Sequence, residues 1–154
     1  MKRHLAAAAF AAALYQPAAA VTFPTLTTIY VAPGAYDDGG AANVGFATVV
    51  SCANVSGVTT DIRVLVLSLS GAVAGAAVAT NIPHGASMRF ATHATFLGNE
   101  GFNLATGLLL DGVINVESLQ SAVFCSFHVV SAPGTGTSVP LNTIRVNPHP
   151  GTVE

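Results

Sequence analysis

The sequence contains no tryptophan, and only 8% of its 154 residues are charged, against about 25% in an average soluble domain. Its five Lys and Arg residues are too few for the basic surface that nucleic-acid binding requires, so we expect no nucleic-acid partner. Disordered chains combine low hydrophobicity with high charge, whereas this sequence has a hydrophobic fraction of 51% and little charge. The composition therefore favours a folded domain with an uncharged surface.

No apolar run in the sequence is long enough to cross a bilayer as a helix, which needs about 20 residues. The clearest run, residues 5–15, follows a basic start at residues 1–4 and precedes three alanines at residues 18–20. This layout is typical of a secretory signal peptide. We therefore predict that residues 1–20 are removed and that residues 21–154 form one domain, secreted, periplasmic or at the cell surface.

The domain that remains after this predicted cleavage has no lysine. Three arginines and seven acidic residues give it a net charge of −4. A domain of this size buries roughly two thirds of the surface of its unfolded chain, which is sufficient for one hydrophobic core.

After residue 20, segments that alternate with period 2 and are rich in Val, Thr, Ile and Phe are separated by turns rich in Gly, Pro, Asn and Asp. The pattern predicts nine strands, near residues 26–31, 44–54, 60–70, 74–81, 87–95, 104–110, 113–117, 119–130 and 139–146. No helical period competes with it. Short strands at this spacing predict an all-β fold, an antiparallel sandwich of about 7–9 strands.

The two cysteines, Cys52 and Cys125, both lie after the predicted cleavage site. An even number of cysteines in an exported protein favours a disulfide, with two buried free thiols as the alternative. Each cysteine lies on the larger apolar face of its strand, and the arrangement resembles the inter-sheet bridge of secreted, bacterial immunoglobulin-like β-sandwich domains. The resemblance implies an immunoglobulin-like topology with one inter-sheet disulfide, and a jelly roll is the alternative topology.

The most polar local segment is residues 36–43, in which Asp37 and Asp38 are followed by two glycines and Asn43. Carboxylate and amide oxygens are the ligands that calcium prefers, and calcium takes six to eight of them. The segment therefore predicts a metal site formed by Asp37, Asp38 and Asn43, with ordinary turn chemistry as the alternative. Further oxygens would come from another loop, through Asn99, Glu100 or Asp111.

The common catalytic motifs are absent from the sequence, so we expect no enzyme. The histidines after residue 20 do not pair at metal-ligand spacing, and we expect them to be scattered over the surface: His84, His93, His128 and His149. His93 in particular is predicted to face solvent. The triplet at residues 54–56, Asn-Val-Ser, is a formal glycosylation sequon, which we interpret as a turn.

Two functions fit these observations. The first is a non-catalytic exported binding or structural module, which assembles with itself or with another surface protein through apolar outward residues such as Phe124 and Val130. The composition is similar to that of chaperone-assembled pilus subunits, although Pro148 and Pro150 near the C-terminus could not extend a strand. The alternative is a calcium- or carbohydrate-binding domain, with hydrolysis as its enzymatic variant, that uses the Asp37–Asp38 loop.

Overall fold

The computed structural model describes residues 25–96 and 101–146, and these residues form ten β-strands and no helix. The strands are β1 (Thr27–Pro33), β2 (Phe46–Asn54), β3 (Thr60–Ser68), β4 (Val73–Ile82), β5 (Ser87–Ala91), β6 (Phe102–Asn103), β7 (Gly112–Ser118), β8 (Val123–Ser131), β9 (Ser138–Pro140) and β10 (Ile144–Arg145). Within these ranges there is accordingly no helix that could span a membrane. The predicted signal peptide lies outside the described residues.

The ten strands form two five-stranded sheets. The first sheet has the order β10-β1-β7-β3-β4, and the second has the order β6-β5-β2-β8-β9. Neighbouring strands are antiparallel, except that the two-residue β6 runs parallel to β5. The predicted all-β sandwich is therefore confirmed.

The strand pairs are nested around the β3–β4 hairpin. Outside that hairpin β2 pairs with β5, and β1 pairs with β7. The chain changes sheet between β1 and β2, between β2 and β3, and again between β4 and β5. In a jelly roll, a long two-stranded ribbon is wound into two sheets, and its strand pairs are nested in this way. The strand order therefore follows the jelly roll, the alternative topology. In an immunoglobulin domain, by contrast, the first two strands are neighbours in one sheet.

The core lies between the two sheets and follows directly from the period-2 pattern of the strands. In β3, Ile62, Val64 and Val66 are fully buried, while Arg63 and Leu65 on the other face are half-buried. Burial of each such aliphatic side chain contributes about 1.5–3 kcal/mol. The opposite wall of the core comes from the second sheet, mainly through Val50, Phe90, Val123 and Phe127.

The disulfide between Cys52 and Cys125 is present, but its predicted position between the sheets is wrong. The two residues lie directly opposite each other on β2 and β8, with their Cα atoms 4.1 Å apart. These strands are hydrogen-bonded neighbours in the second sheet. Alternation along each strand indicated that both cysteines face the core, but it could not indicate that the two strands are adjacent.

The predicted strand at residues 104–110 is also wrong, because the chain turns there. The side chain of Asn103 accepts a hydrogen bond from the Ala105 N–H at 2.8 Å, and Ala105 and Gly107 both have positive φ angles. Such a side-chain turn ends the strand after β6. Similarly, the long predicted strand at residues 119–130 begins only at Val123.

The two outward apolar residues singled out in the sequence differ in exposure. Phe124 is 51% exposed, as expected, whereas Val130 is only 4% exposed. Val130 packs with Val49 and Ala91 in a second, small apolar cluster on the outer face of the second sheet. Val130 is therefore not available for lateral packing, and this expectation was wrong.

Candidate functional site

The structure brings together two of the three predicted metal ligands with a histidine. Asp37 and Asp38 lie in the β1–β2 loop, and His93 lies just after β5. One ligand atom of each side chain lies within 4.8 Å of the others. We call these three residues the Asp-Asp-His cluster.

Backbone pairing fixes the position of Asp37. Its N–H donates to the Leu109 carbonyl at 2.7 Å, and its carbonyl accepts from the Leu109 N–H at 2.8 Å. A further isolated bridge joins Asp37 to Ala47 on β2. The loop residue is thereby held between two segments, and its side chain is completely buried.

The buried carboxylate of Asp37 has three hydrogen-bond partners. Oδ1 accepts from the Gly39 N–H at 2.7 Å and lies 2.9 Å from His93 Nδ1. Oδ2 accepts from the Thr106 hydroxyl at 3.2 Å. Burial of a carboxylate without hydrogen-bond partners costs free energy, so these three donors stabilise Asp37 in the interior.

His93 is 8% exposed, so the expectation that it faces solvent was wrong. Its Nδ1 faces the Asp37 carboxylate, and its Nε2 lies 3.1 Å from the Val44 carbonyl oxygen. Both partners are acceptors, so both hydrogen bonds form together only when each ring nitrogen carries a proton. His93 thereby bridges the Asp37 carboxylate and the Val44 carbonyl with its two ring nitrogens.

The Asp38 carboxylate accepts hydrogen bonds from two backbone N–H groups of the β1–β2 region. Its Oδ1 accepts from the Gly40 N–H at 3.0 Å, and its Oδ2 accepts from the Phe46 N–H at 2.9 Å. Gly45 has a φ of 75°, and a Cβ atom at Gly45 would overlap the Asp38 carboxylate. Glycine is therefore favoured at this position both by the positive φ angle and by the lack of space for a side chain.

A cavity of about 270 Å³ opens beside the cluster, and its polar lining includes Asp37, His93 and Asn103. The third predicted ligand, Asn43, is exposed and does not line this cavity; its N–H donates to the Ala94 carbonyl at 2.8 Å. Of the suggested additional ligands, Asp111 is exposed, and Asn99 and Glu100 lie outside the described residues. The predicted metal site thus remains a prediction for Asp37, Asp38 and Asn43.

Together with Thr106, the Asp-Asp-His cluster offers a hydroxyl, a carboxylate and an imidazole, which are the components of a hydrolytic triad. In such a triad the hydroxyl lies on the imidazole nitrogen that does not face the carboxylate. Here the Thr106 hydroxyl contacts the carboxylate instead, and the remaining nitrogen of His93 faces the Val44 carbonyl. The arrangement therefore holds loops together but does not activate Thr106 as a nucleophile.

The Asn-Val-Ser triplet begins at Asn54, the last residue of β2, which is fully buried and accepts the Ser56 N–H in the turn that follows. Its side-chain nitrogen donates to the Val58 carbonyl at 2.7 Å and to the Ile82 carbonyl at 2.8 Å. Both amide hydrogens are engaged, so the nitrogen that would carry a glycan is inaccessible in the folded protein.

The chain matches no protein-family model, no curated protein and no solved structure. Its class therefore follows from the fold and the site alone. The described residues form an all-β sandwich with one cross-strand disulfide and a buried Asp–His pair at one end.

Proposed function

We propose that the protein is an exported, non-catalytic structural module that associates with a second copy of itself through the free edge of the first sheet. The observation that supports this most is the edge strand β4. It is ten residues long and contains neither a charged residue nor a proline. Long uncharged edges pair readily with another chain, and soluble proteins normally protect them.

The backbone of β4 has few partners. Among the described residues it pairs only with β3, and no other backbone hydrogen bond involves residues 73–80. Register shifts lie near both ends of this pairing, so its middle, residues 75–79, is regular. Gly75 is buried against Leu104 and Thr106, whereas residues 76–78 are exposed or half-buried and offer unpaired N–H and C=O groups to a partner strand.

The other sheet edges are formed by much shorter strands. β6 and β10 have two residues each, and β9 has three, one of which is Pro140. Short strands and proline are devices that prevent edge-to-edge pairing. Such protection makes β4 the edge best suited to strand addition within the described part of the chain.

A second copy suits this edge because β4 carries no charge. Two copies related by a twofold axis would pair β4 with β4 in antiparallel orientation, and no like charges would face each other across the pair. Two exposed apolar side chains, Val73 at the start of β4 (62% exposed) and Leu69 in the turn before it (78% exposed), would add burial to such a contact. Export is supported by the pattern of residues 1–20 and by the disulfide, since disulfides persist in oxidising compartments.

Two lysines on the outer face of β4 test this proposal. We expect the unmodified protein to elute above its monomer mass at high concentration in size-exclusion chromatography with light scattering. The variant Ala76→Lys with Thr80→Lys should elute as a monomer, because charge on an edge opposes pairing. The matched control adds the same charge to the exposed β8–β9 loop, as Thr135→Lys with Thr137→Lys, and should associate like the parent. A monomeric parent, or equal association of both variants, would contradict the proposal.

A second candidate function is binding of a divalent cation by the Asp-Asp-His cluster. Two carboxylates and an imidazole lie close together beside a cavity. Calcium prefers oxygen ligands only, whereas zinc accepts imidazole with carboxylate. The histidine therefore favours zinc over calcium, although binding would require the cluster to give up hydrogen bonds that it makes in the free protein.

Thermal melting with and without added metal tests this candidate. If zinc binds, saturating zinc should raise the Tm of the protein by about 5 °C, and calcium should do so less. The shift should disappear in Asp38→Asn, which removes one ligand charge, and persist in Asp111→Asn, an exposed carboxylate in another loop. An unchanged Tm with both metals would refute the candidate.

A further inference from the structure

The outer face of the first sheet carries two adjacent rows of side chains without a charge. Residues directly opposite each other on paired strands share a face of the sheet, so the strand register defines each row. The first row has one residue on each strand of the sheet, in the order Ile144, Val31, Asn115, Leu65 and Ala76. It crosses the whole sheet, and the asparagine is its only polar member.

The second row lies beside the first and is entirely apolar. It has one residue on each of β1, β7, β3 and β4, in the order Pro33, Val113, Leu67 and Val73. We call the two rows together the apolar band. An antiparallel sheet that faces water normally carries polar side chains on its outer face. The band is therefore typical of a surface that packs against a partner.

The charged residues next to the band neutralise each other. Arg63 and Glu117 lie opposite each other in the neighbouring row of the same face, and they form an ion pair in which Glu117 is only 9% exposed. Two identical bands can therefore face each other without the repulsion that like charges would cause. A second copy is accordingly a suitable partner, whereas the band offers a charged partner no opposite charge.

The area of the band indicates how many copies are needed to bury it stably. Five strands at a spacing of about 4.8 Å, with two rows of about 7 Å each, give a band of roughly 340 Å². One band packed on another would bury only about 700 Å² in total, whereas stable interfaces bury about 1,200–2,000 Å². Two bands packed on two others would bury about 1,400 Å², which lies within that range.

Pairing of β4 with β4 would place two bands on one surface. In an antiparallel pair of this kind the twofold axis is perpendicular to the sheet, so both bands lie on the same side of one continuous sheet. Val73 connects the two surfaces, because it lies in the band and begins β4. We propose that two such β4-paired dimers pack face to face through their apolar bands and form a tetramer, with the facing sheets about 10 Å apart. This inference rests on the proposed self-association through β4.

Sedimentation velocity of the purified protein tests this arrangement, and we expect the parent to sediment as a tetramer. The variant Val31→Lys with Val113→Lys places two charges in the band, on strands that do not border β4. It should sediment as a dimer, because burial of the band would then bury unpaired charges. The matched control, Ser87→Lys with Ser126→Lys, adds the same charge at exposed positions of the second sheet and should remain a tetramer.

A milder variant keeps the test decisive if the lysines impair folding. Val31→Thr with Val113→Thr preserves both branched side chains and should weaken association of the dimers about tenfold or more, because hydroxyls become buried. Circular dichroism checks that the fold is retained. A dimeric parent, or a tetramer in the lysine variant of the band, would overturn this inference and leave the β4 pairing intact. A monomeric parent would overturn both.

Discussion

Replacement of Asp37 by alanine is expected to lower the free energy of unfolding by about 3–5 kcal/mol, because it removes the buried carboxylate of the Asp37–His93 pair and leaves its hydrogen-bond donors without an acceptor. His93 would lose the carboxylate at Nδ1, and the Gly39 N–H and the Thr106 hydroxyl would lose their acceptor. The loss is measured by urea denaturation followed by circular dichroism. The Asp37 position couples the β1–β2 loop to the segments on either side of it, so the loop should also become more accessible to proteases.

Asp38→Ala is the matched control for this experiment. It removes a neighbouring carboxylate that also accepts two backbone N–H groups, but that residue is only half-buried. We expect it to lower the free energy of unfolding by only about 1 kcal/mol. A double-mutant cycle between Asp37→Ala and His93→Ala should give a coupling energy of about 1–3 kcal/mol. Equal effects of Asp37→Ala and Asp38→Ala would show that the Asp37–His93 pair contributes little.

Removal of the disulfide is the other change with a large expected effect. In the chain-entropy model, a cross-link between residues 73 positions apart contributes about 4 kcal/mol, because it restricts the unfolded chain. Replacement of Cys52 and Cys125 together by alanine should therefore lower the free energy of unfolding by roughly 3–5 kcal/mol. Denaturation by urea under non-reducing conditions measures the difference.

The adjacent pair on the same two strands provides the control. Ser51 precedes Cys52 on β2 and lies directly opposite Ser126, which follows Cys125 on β8, and replacement of the two serines by alanine removes no cross-link. We expect that variant to unfold within about 0.5 kcal/mol of the parent. If the disulfide variant lay within the same range, β2–β8 pairing alone would be sufficient to hold the second sheet together.

The strands themselves were largely predictable from local pattern. The apolar segment at residues 60–70 predicted a strand, and β3 covers Thr60–Ser68, with Ile62, Val64 and Val66 buried on one face. The errors occurred where a turn interrupts an apolar segment, as after Asn103, whose side chain caps the turn. Side-chain turns of this kind depend on one residue and leave the hydrophobic pattern unchanged.

The candidate site was predictable only in part, for a different reason. The polar composition of residues 36–43 indicated Asp37 and Asp38, because adjacent carboxylates and glycines are visible in the sequence. The sequence did not indicate His93 as a member of the site, because it is 56 residues from Asp37. Alternation along the predicted strand also placed its side chain on the solvent-facing side. Just after β5 the chain leaves the regular alternation, and parity no longer predicts the direction of a side chain there.

Local patterns along the chain are sufficient to predict that this protein is built from short strands, with two cysteines facing a core and a polar, glycine-containing loop. These features depend on period-2 alternation and on turn chemistry, both of which act between residues close in the chain. The fold, in contrast, makes β2 and β8 neighbours, so that the disulfide lies within one sheet. It also brings Asp37 to His93 and places Leu65 between Asn115 and Ala76. The same alternation is compatible with many strand orders, and the choice among them depends on contacts between residues far apart in the chain.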